Sequence, residues 1–368
     1  MSPSKGRRIH AVVLAGGAGE RFWPASRRRR PKPLLELVGG KSLLEATVER
    51  ARAFAGEDRV WLVCGHEHAS AMRRASGLPA ARVLVEPHRR NTAMAVAWAA
   101  LRIAAEDPGA VLAVLPADHH VPDKRAFATA VRSAARAAKD DGVLVTLGIA
   151  PTRPETGYGY IQLGSEVGPS HPDLFRVKRF VEKPDVKTAH RYIRSGRYLW
   201  NAGVFVWRGE TLLEEIRAYA PRIHRALSPL RAHPKGRNRD AIEAAYRRAP
   251  SLPVDVAVLE KSRRVLCLPV VFSWSDVGTW ESLALELGRS GSATDLQDSN
   301  RVLAGELLAE GAAGNLVFAP GRNVALVGVE DLAVIDTGDV ILVTKLDRSS
   351  DVRRIVARLN AQGRSDLT

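Results

Sequence analysis

The chain has 368 residues, 45% hydrophobic and 26% charged, which supports a large core and two domains and excludes a disordered chain. No apolar run approaches the roughly 20 residues of a membrane helix, and the basic start followed by a short apolar stretch runs directly into glycines, so neither a membrane span nor an export signal is expected. The net charge of +15 is carried by arginines dispersed along alanine-rich stretches, with only Arg27 to Arg30 forming a run, a pattern suited to phosphorylated small molecules and not to a nucleic-acid groove.

In chain order, short β-branched runs predict strands at Ala11–Leu14, Val60–Cys64, Arg82–Val85, Val111–Leu115 and Val143–Ile149. Helical patterns separate them at Leu43–Phe54, Glu67–Ala75, Thr92–Ala105 and Ala126–Ala138. This alternation predicts an α/β, mainly parallel sheet with helices on both faces. From Pro151 to Phe272 the pattern is less regular, with strands at Gly159–Leu163, Phe175–Val181 and Val204–Trp207, and a basic stretch from Arg231 to Arg239 that reads as a surface loop. The segment GSATDLQDSN reads as a linker, followed by β runs at Asn315–Phe318, Val324–Val327, Leu332–Asp336 and Val340–Thr344 and a helical tail at Asp351–Leu359. Two domains are therefore expected, over residues 1–290 and 291–368. Cys64 and Cys267 lie far apart in apolar stretches and read as reduced core residues.

The segment VVLAGGAGERFWPASRRRRPKPLLEL carries the first chemistry. Glycines after a buried strand let backbone N–H groups approach a phosphate, and Arg21 and Lys32 would add fixed positive charge to the same anion. It is not the dinucleotide fingerprint, because Phe22 occupies the third glycine position. Gly39-Gly40-Lys41-Ser42 imitates the end of a P-loop, but Leu35 stands where its first glycine belongs, so Ser42-x-x-Glu45 reads as a helix capping box.

The glycine segment, together with VEPHRRNTA, LPADHHV, ETGYGYI, VEKP, WNAGVFVW and FSWSDVGTW in that order, resembles the sugar-nucleotidyltransferase family, in particular the mannose-1-phosphate guanylyltransferases. The resemblance implies a Rossmann-like nucleotidyltransferase sheet and a small left-handed β-helix that makes homodimer contacts, although clean hexapeptide repeats are not visible. It also implies a cytoplasmic enzyme that joins GTP and mannose 1-phosphate into GDP-mannose and diphosphate with Mg²⁺. Some longer relatives append a cupin-like isomerase domain; none follows here, so mannose-6-phosphate isomerase activity is not expected.

The residues divide accordingly. Gly16, Gly17 and Gly19 with Arg21 and Lys32 would hold the triphosphate, and Asp118 and Asp276, each following an apolar run, would hold the metal. Either acid could instead cap a helix or sit in a loop. Glu86 could accept both adjacent donors of guanine, N1–H and the 2-amino group, or merely end a strand. Asn91 and Thr92 would add contacts at a helix N-terminus. Gly159, Glu182, Lys183 and Asn201 would take the sugar phosphate, with Glu182 on hydroxyls and Lys183 on the phosphate. Pro33 stands where the family carries Gln, which puts the reach of Lys32 in question, and Met94 stands where it has Pro. Trp200, Trp207, Trp274 and Trp280 read as core or wall residues, and His119 and His120 point opposite ways on an extended segment, against a metal reading. The rivals are another hexose 1-phosphate or nucleotide in the same reaction, and a non-catalytic sugar-nucleotide sensor. Loss of Arg21, Lys32, Asp118 or Asp276 would mark the sensor, and all four are present.

Overall fold

The computed structural model describes residues 8–17, 19–234, 238–290, 294–295 and 299–368. The predicted linker lies largely outside the described residues, as do 235–237 of the predicted basic loop; the flanks of that loop are helical, at Ser228–Ala232 and Arg239–Arg248. Among the described residues no helix is long and apolar enough to cross a membrane. The chain divides into two compact units: Met1–Gly16, Val48–Pro116 and Asp123–Trp274 form the first, and Gly17–Thr47, Ala117–Pro122 and Ser275–Thr368 the second.

The first unit is built on a nine-stranded sheet of β1 (Ile9–Ala15), β2 (Val60–Gly65), β3 (Val83–Glu86), β4 (Val111–Pro116), β5 (Leu144–Ile149), β6 (Tyr160–Glu166), β7 (Phe175–Val181), β8 (Tyr198–Arg208) and β9 (Val265–Val270). Its order is β3-β2-β1-β4-β8-β5-β9-β7-β6. Consecutive residues 10–13 of β1, 60–64 of β2 and 111–115 of β4 are buried, so both sheet faces are covered. The Asn91–Ala104 helix packs in one core cluster with Val12, Leu112 and Val114, and the Lys124–Asp141 helix, capped by Asp123 through Arg125 and Ala126 N–H, packs against β4 and β5.

The sheet is mixed, which corrects the expectation of a mainly parallel one. β3, β2, β1 and β4 run parallel, as do β5 and β9, but β8 is antiparallel to β4, β5 and β6, and β7 is antiparallel to β6 and β9. Parallel neighbours need a crossover of about a dozen residues or more. Only residues 167–174 separate β6 from β7, so that pair can only fold back. β9 escapes the sequence patterns because Pro269 argues against a strand; β7 pairs only with Leu266 and Cys267, so the missing N–H falls beyond that ladder.

The second unit holds a five-stranded sheet of β10 (Thr294–Asp295), β11 (Arg301–Glu310), β12 (Leu316–Val327), β13 (Leu332–Asp336) and β14 (Ile341–Lys345), in chain order. The two expected runs at Asn315–Phe318 and Val324–Val327 are one strand, bent at Gly321 with φ 71°. β11, β12 and β13 are parallel: Leu316 pairs with Arg301, fifteen residues before it, and with Ala333, seventeen after it. So short an offset between parallel strands means that the chain winds in stacked coils. Asn300 and Asn315, both fully buried, stack at the turn between coils: Asn315 Nδ2 donates to Asn300 Oδ1 at 2.9 Å, and Asn315 Oδ1 accepts from Leu332 N–H at 2.9 Å.

The unit's apolar core joins Phe22, Leu35 and Leu37 to Trp280, Leu316, Ile335 and Val356, with Phe22 and Trp280 ring centroids 4.7 Å apart. Arg27, which the sequence shows only as part of a basic run, is clamped: its guanidinium donates to both Asp339 oxygens at 2.6 and 2.8 Å and to Pro24 O at 2.9 Å. The capping box forms as expected, with Ser42 N–H donating to Glu45 Oε2 at 2.8 Å and Glu45 N–H to Ser42 Oγ at 3.2 Å. Both cysteines are buried and free, and burial with nearby Glu86 pushes the Cys64 thiol up to about 12.

Candidate active site

In the second unit, Lys32, Asp118 and Asp276 come together. Lys32 opens a 3₁₀ turn, Lys32–Leu34, whose second residue is Pro33; the departure from Gln leaves the lysine side chain buried and aimed at its partners. Its ammonium donates to Asp118 Oδ2 at 2.8 Å and to the Asp276 carbonyl at 2.7 Å. The two acids are brought alongside by an antiparallel bridge, in which His120 N–H donates to Ser275 O at 2.9 Å and Ser275 N–H to His120 O at 3.0 Å. Burial pulls the Asp118 pKa upward, but the Lys32 ammonium and His119 outweigh it and hold the carboxyl below its ordinary value, so Asp118 is an anion.

The Asp276 turn is shaped for its acid. Val277 has φ 44°, a left-handed conformation costly for a β-branched residue, and a Cβ on Gly278 would stand 2.6 Å from Asp276 Oδ2. Among the described residues no group of three or more His, Cys, Asp and Glu stands in metal-holding geometry.

The glycines separate into two kinds. Gly19, with φ 66°, is required by the fold itself, because a Cβ there would lie 2.4 Å from Lys32 Cβ and 2.8 Å from Ser26 Oγ. Gly16 and Gly17 are exposed, and a Cβ on either would meet nothing within 4 Å. Among the described residues nothing demands glycine at those two positions. Arg21 is exposed on the 3₁₀ turn Glu20–Phe22.

In the first unit, Glu86 closes β3, and its Oε1 is shielded from solvent without a hydrogen-bond partner among the described residues. Burial pushes its pKa up to about 7, against the neighbouring Tyr246 hydroxyl, which favours the ionised form. Asn91 starts its helix with φ 61°, and its Oδ1 accepts the next N–H, from Thr92, at 2.8 Å. The Thr92 hydroxyl has a structural duty that sequence did not suggest: it accepts from Val254 N–H at 2.8 Å, while Ala93 N–H donates to Leu252 O at 3.1 Å.

Gly159, Glu182, Lys183 and Asn201 also meet in the first unit. Gly159 O accepts from Asn201 N–H at 2.8 Å, and a Cβ on Gly159 would stand 2.7 Å from Glu182 Oε2 and 3.3 Å from Asn201 Cβ. A side chain at residue 159 would therefore displace the Glu182 carboxylate and press on Asn201. Lys183, at φ 47° and largely exposed, donates to Glu182 Oε1 at 2.6 Å.

Sequence reasoning missed Asp255, which accepts from Asn201 Nδ2 at 3.1 Å, and Glu260, which accepts from Glu182 N–H at 3.2 Å. Burial and the nearby Glu182 carboxylate push the Asp255 pKa up to about 7, with Lys183 and Asn201 opposing. The available signal was an acid enclosed by apolar residues in LPVDVAVL. All four expected tryptophans are buried.

A nucleotidyl transferase family model matches residues 10–287, and a MannoseP isomerase/GMP-like beta-helix domain model matches residues 308–359. The mixed α/β sheet, the glycine turn and the Lys32–Asp118–Asp276 cluster thus belong to a nucleotidyltransferase with a β-helix-like C-terminal part. Mannose-1-phosphate guanylyltransferase from Escherichia coli (strain K12) is 36% identical over 98% of this chain and 75% of its own length. The alginate biosynthesis protein AlgA of Pseudomonas aeruginosa is 37% identical over 96% of this chain and 73% of its own. A crystal structure described as mannose-1-phosphate geranyltransferase from Thermus thermophilus superposes with a TM-score of 0.85 at 39% identity, covering 96% of this chain and 99% of the other. The chain belongs to the nucleotidyl transferase family, among its mannose-1-phosphate guanylyltransferases.

Proposed function

We propose that this enzyme transfers the guanylyl group of GTP to mannose 1-phosphate, giving GDP-mannose and diphosphate. A phosphate oxygen of the sugar phosphate attacks the α-phosphorus, and the bond from that phosphorus to the bridging oxygen of the β-phosphate breaks. The electron pair leaves with diphosphate, and the attacking phosphate is already anionic at neutral pH, so no general base is needed. The observation that carries this reading is the buried Lys32 ammonium held between the Asp118 carboxylate and the Asp276 carbonyl. A fixed cation beside two acids, reached from a glycine-rich turn, suits phosphoryl chemistry.

Lys32 and Arg21 stabilise charge on the triphosphate, and the backbone at Gly16, Gly17 and Gly19 lines its approach. The ionised Asp118 and the carboxylate of Asp276 are hard oxygen donors that fit Mg²⁺, which would neutralise phosphate charge when bound. Glu86 in its ionised form reads guanine, and Asn91 and Thr92 stand at the helix N-terminus nearest it in sequence. Glu182 accepts from sugar hydroxyls, and Lys183 pairs with the sugar's phosphate. A catalytic domain over residues 1–290 and a small β domain over 291–368 belong to the same reading, supported by the extents of the two family models. So do a left-handed coil in the small domain, homodimer contacts made through it, and a cytoplasmic location.

Diphosphate release from a grid of nucleoside triphosphates and hexose 1-phosphates, with and without Mg²⁺, tests the reading. Release confined to GTP with mannose 1-phosphate supports it. Preference for another pair removes the specificity, and silence from folded protein removes the activity.

A further inference from the structure

Within the first unit, the segment from Leu252 to Glu260 is anchored at one end and bears on the sugar-phosphate residues at the other. Leu252 O and Val254 N–H are held by Ala93 N–H and the Thr92 hydroxyl. The segment then makes a π-helical turn, in which Glu260 N–H donates to Asp255 O, five residues back, at 2.9 Å. Turns of this kind insert a residue into a helix and re-aim side chains. Here the turn sets Asp255 Oδ1 on Asn201 Nδ2 and Glu260 Oε1 on Glu182 N–H.

The bonds to Asn201 decide its orientation. Its Oδ1 accepts from Thr146 Oγ1 at 2.9 Å and from Gly203 N–H at 3.1 Å, and one hydrogen of Nδ2 goes to Asp255. A flipped amide would face an N–H with its own N–H at Gly203 and an oxygen with its own oxygen at Asp255. Among the described residues, the second hydrogen on Nδ2 has no acceptor.

We propose that Asp255 is a positioning residue for sugar recognition. By taking one amide hydrogen of Asn201 it presents the other as a fixed donor beside Glu182, so that the site offers a hexose 1-phosphate one donor and one acceptor in set register. The inference rests on the proposed sugar-phosphate role of Gly159, Glu182, Lys183 and Asn201. Asp255 does not itself touch the substrate.

The test is a double-mutant cycle with the full chain, read as separate KM values for the sugar phosphate and for GTP and as mannose 1-phosphate binding by calorimetry. Asp255→Ala should raise the sugar-phosphate KM about tenfold and leave the GTP KM within about twofold, the loss of one well-placed hydrogen bond. Asp255→Asn keeps an oxygen acceptor and should restore most of the affinity. In an Asn201→Ala background, Asp255→Ala should add less than about twofold, because the group it positions is already gone.

Equal rises in both KM values, no rescue by Asp255→Asn, or multiplicative effects in the double variant would overturn the proposal. If Asp255→Ala does not fold, Thr146→Val strips the same amide of one of its two oxygen-side anchors and must raise the sugar-phosphate KM alone; an unselective effect overturns the proposal equally. If the wild type prefers another hexose 1-phosphate, that substrate replaces mannose 1-phosphate in the cycle, and only the mannose assignment falls. A wild type that neither binds nor converts any hexose 1-phosphate ends both readings.

Discussion

Replacing Lys32 with methionine keeps most of its volume and removes its charge, and the structure sets the consequences. The lysine side chain is 7% exposed and its partner Asp118 30%. Breaking a fully buried ion pair costs about 3–5 kcal/mol, because the remaining charge is stranded. The partial exposure of Asp118 lets water recover part of that, so about 2 kcal/mol of folding stability should be lost at pH 7. The loss depends on pH with a definite sign. Lys32 holds the folded Asp118 pKa below its ordinary value of 3.8, so the pair's contribution is present at neutral pH and fades as pH falls through the depressed pKa. In Lys32→Met, burial acts unopposed by the ammonium and the carboxyl pKa rises. Urea denaturation of both proteins should therefore show a stability gap that is widest near pH 7 and closes in acid. Turnover, followed by diphosphate release, should fall about 10²–10³-fold, the range for removing one preorganised charge from a transition state. A variant within threefold of wild-type turnover, or a stability gap independent of pH, would refute the reasoning.

Gly17→Ala and Gly19→Ala should fail in different ways. Gly19→Ala, at φ 66° and against Lys32 Cβ, should lose about 2–4 kcal/mol in denaturant titration. Gly17→Ala, facing open space, should keep its stability within about 0.5 kcal/mol while its GTP KM rises; an unchanged KM would remove the backbone at Gly17 from the nucleotide's approach. Because Glu86 is held neutral until about pH 7, kcat/KM for GTP should climb as pH rises through that value. Glu86→Gln should flatten that climb at a low level, and should unfold at a higher temperature than wild type at pH 8, where the buried carboxylate is ionised at a cost to the fold. Asn315→Ala strands the Leu332 N–H and leaves Asn300 Oδ1 with the Asn315 backbone N–H alone, so about 1–3 kcal/mol should disappear in urea titration with little change in KM for either substrate.

The meeting of the acids of LPADH and WSDVGTW with Lys32 was legible because all three lie in short contiguous motifs. The parallel half of the large sheet was legible for the same reason: β1 to β4 are compact β-branched runs separated by long helices. The direction of β7 and β8 was not, because alternation of strand and helix does not encode direction once connections shorten. β11 escaped notice because its Ala, Leu and Glu residues favour helices and most of them face solvent, so no alternating pattern marks it. The site residues most difficult to foresee were Asp255 and Glu260. Neither lies in a motif that announces chemistry; they act on Asn201 and Glu182 across more than fifty residues of chain, and the π-helical turn that aims Asp255 is set by hydrogen bonds to another helix. Arg27 shows the opposite error, where membership of a charge run concealed a specific clamp on Asp339.

The stacked coils of the C-terminal sheet bear on how this part of the molecule can change over generations. Along the parallel ladders a coil pairs with the coil before it and the coil after it, through partners fifteen to seventeen residues away. Duplicating one whole coil would repeat the asparagine step at its corner and leave every ladder intact. An insertion of a single residue within a strand would instead turn inward-facing side chains outward. Length in this region is thus quantised: it can grow or shrink by whole turns of the winding, whereas the nine-stranded sheet, whose strands are drawn from Ile9 to Val270, has no such unit to add.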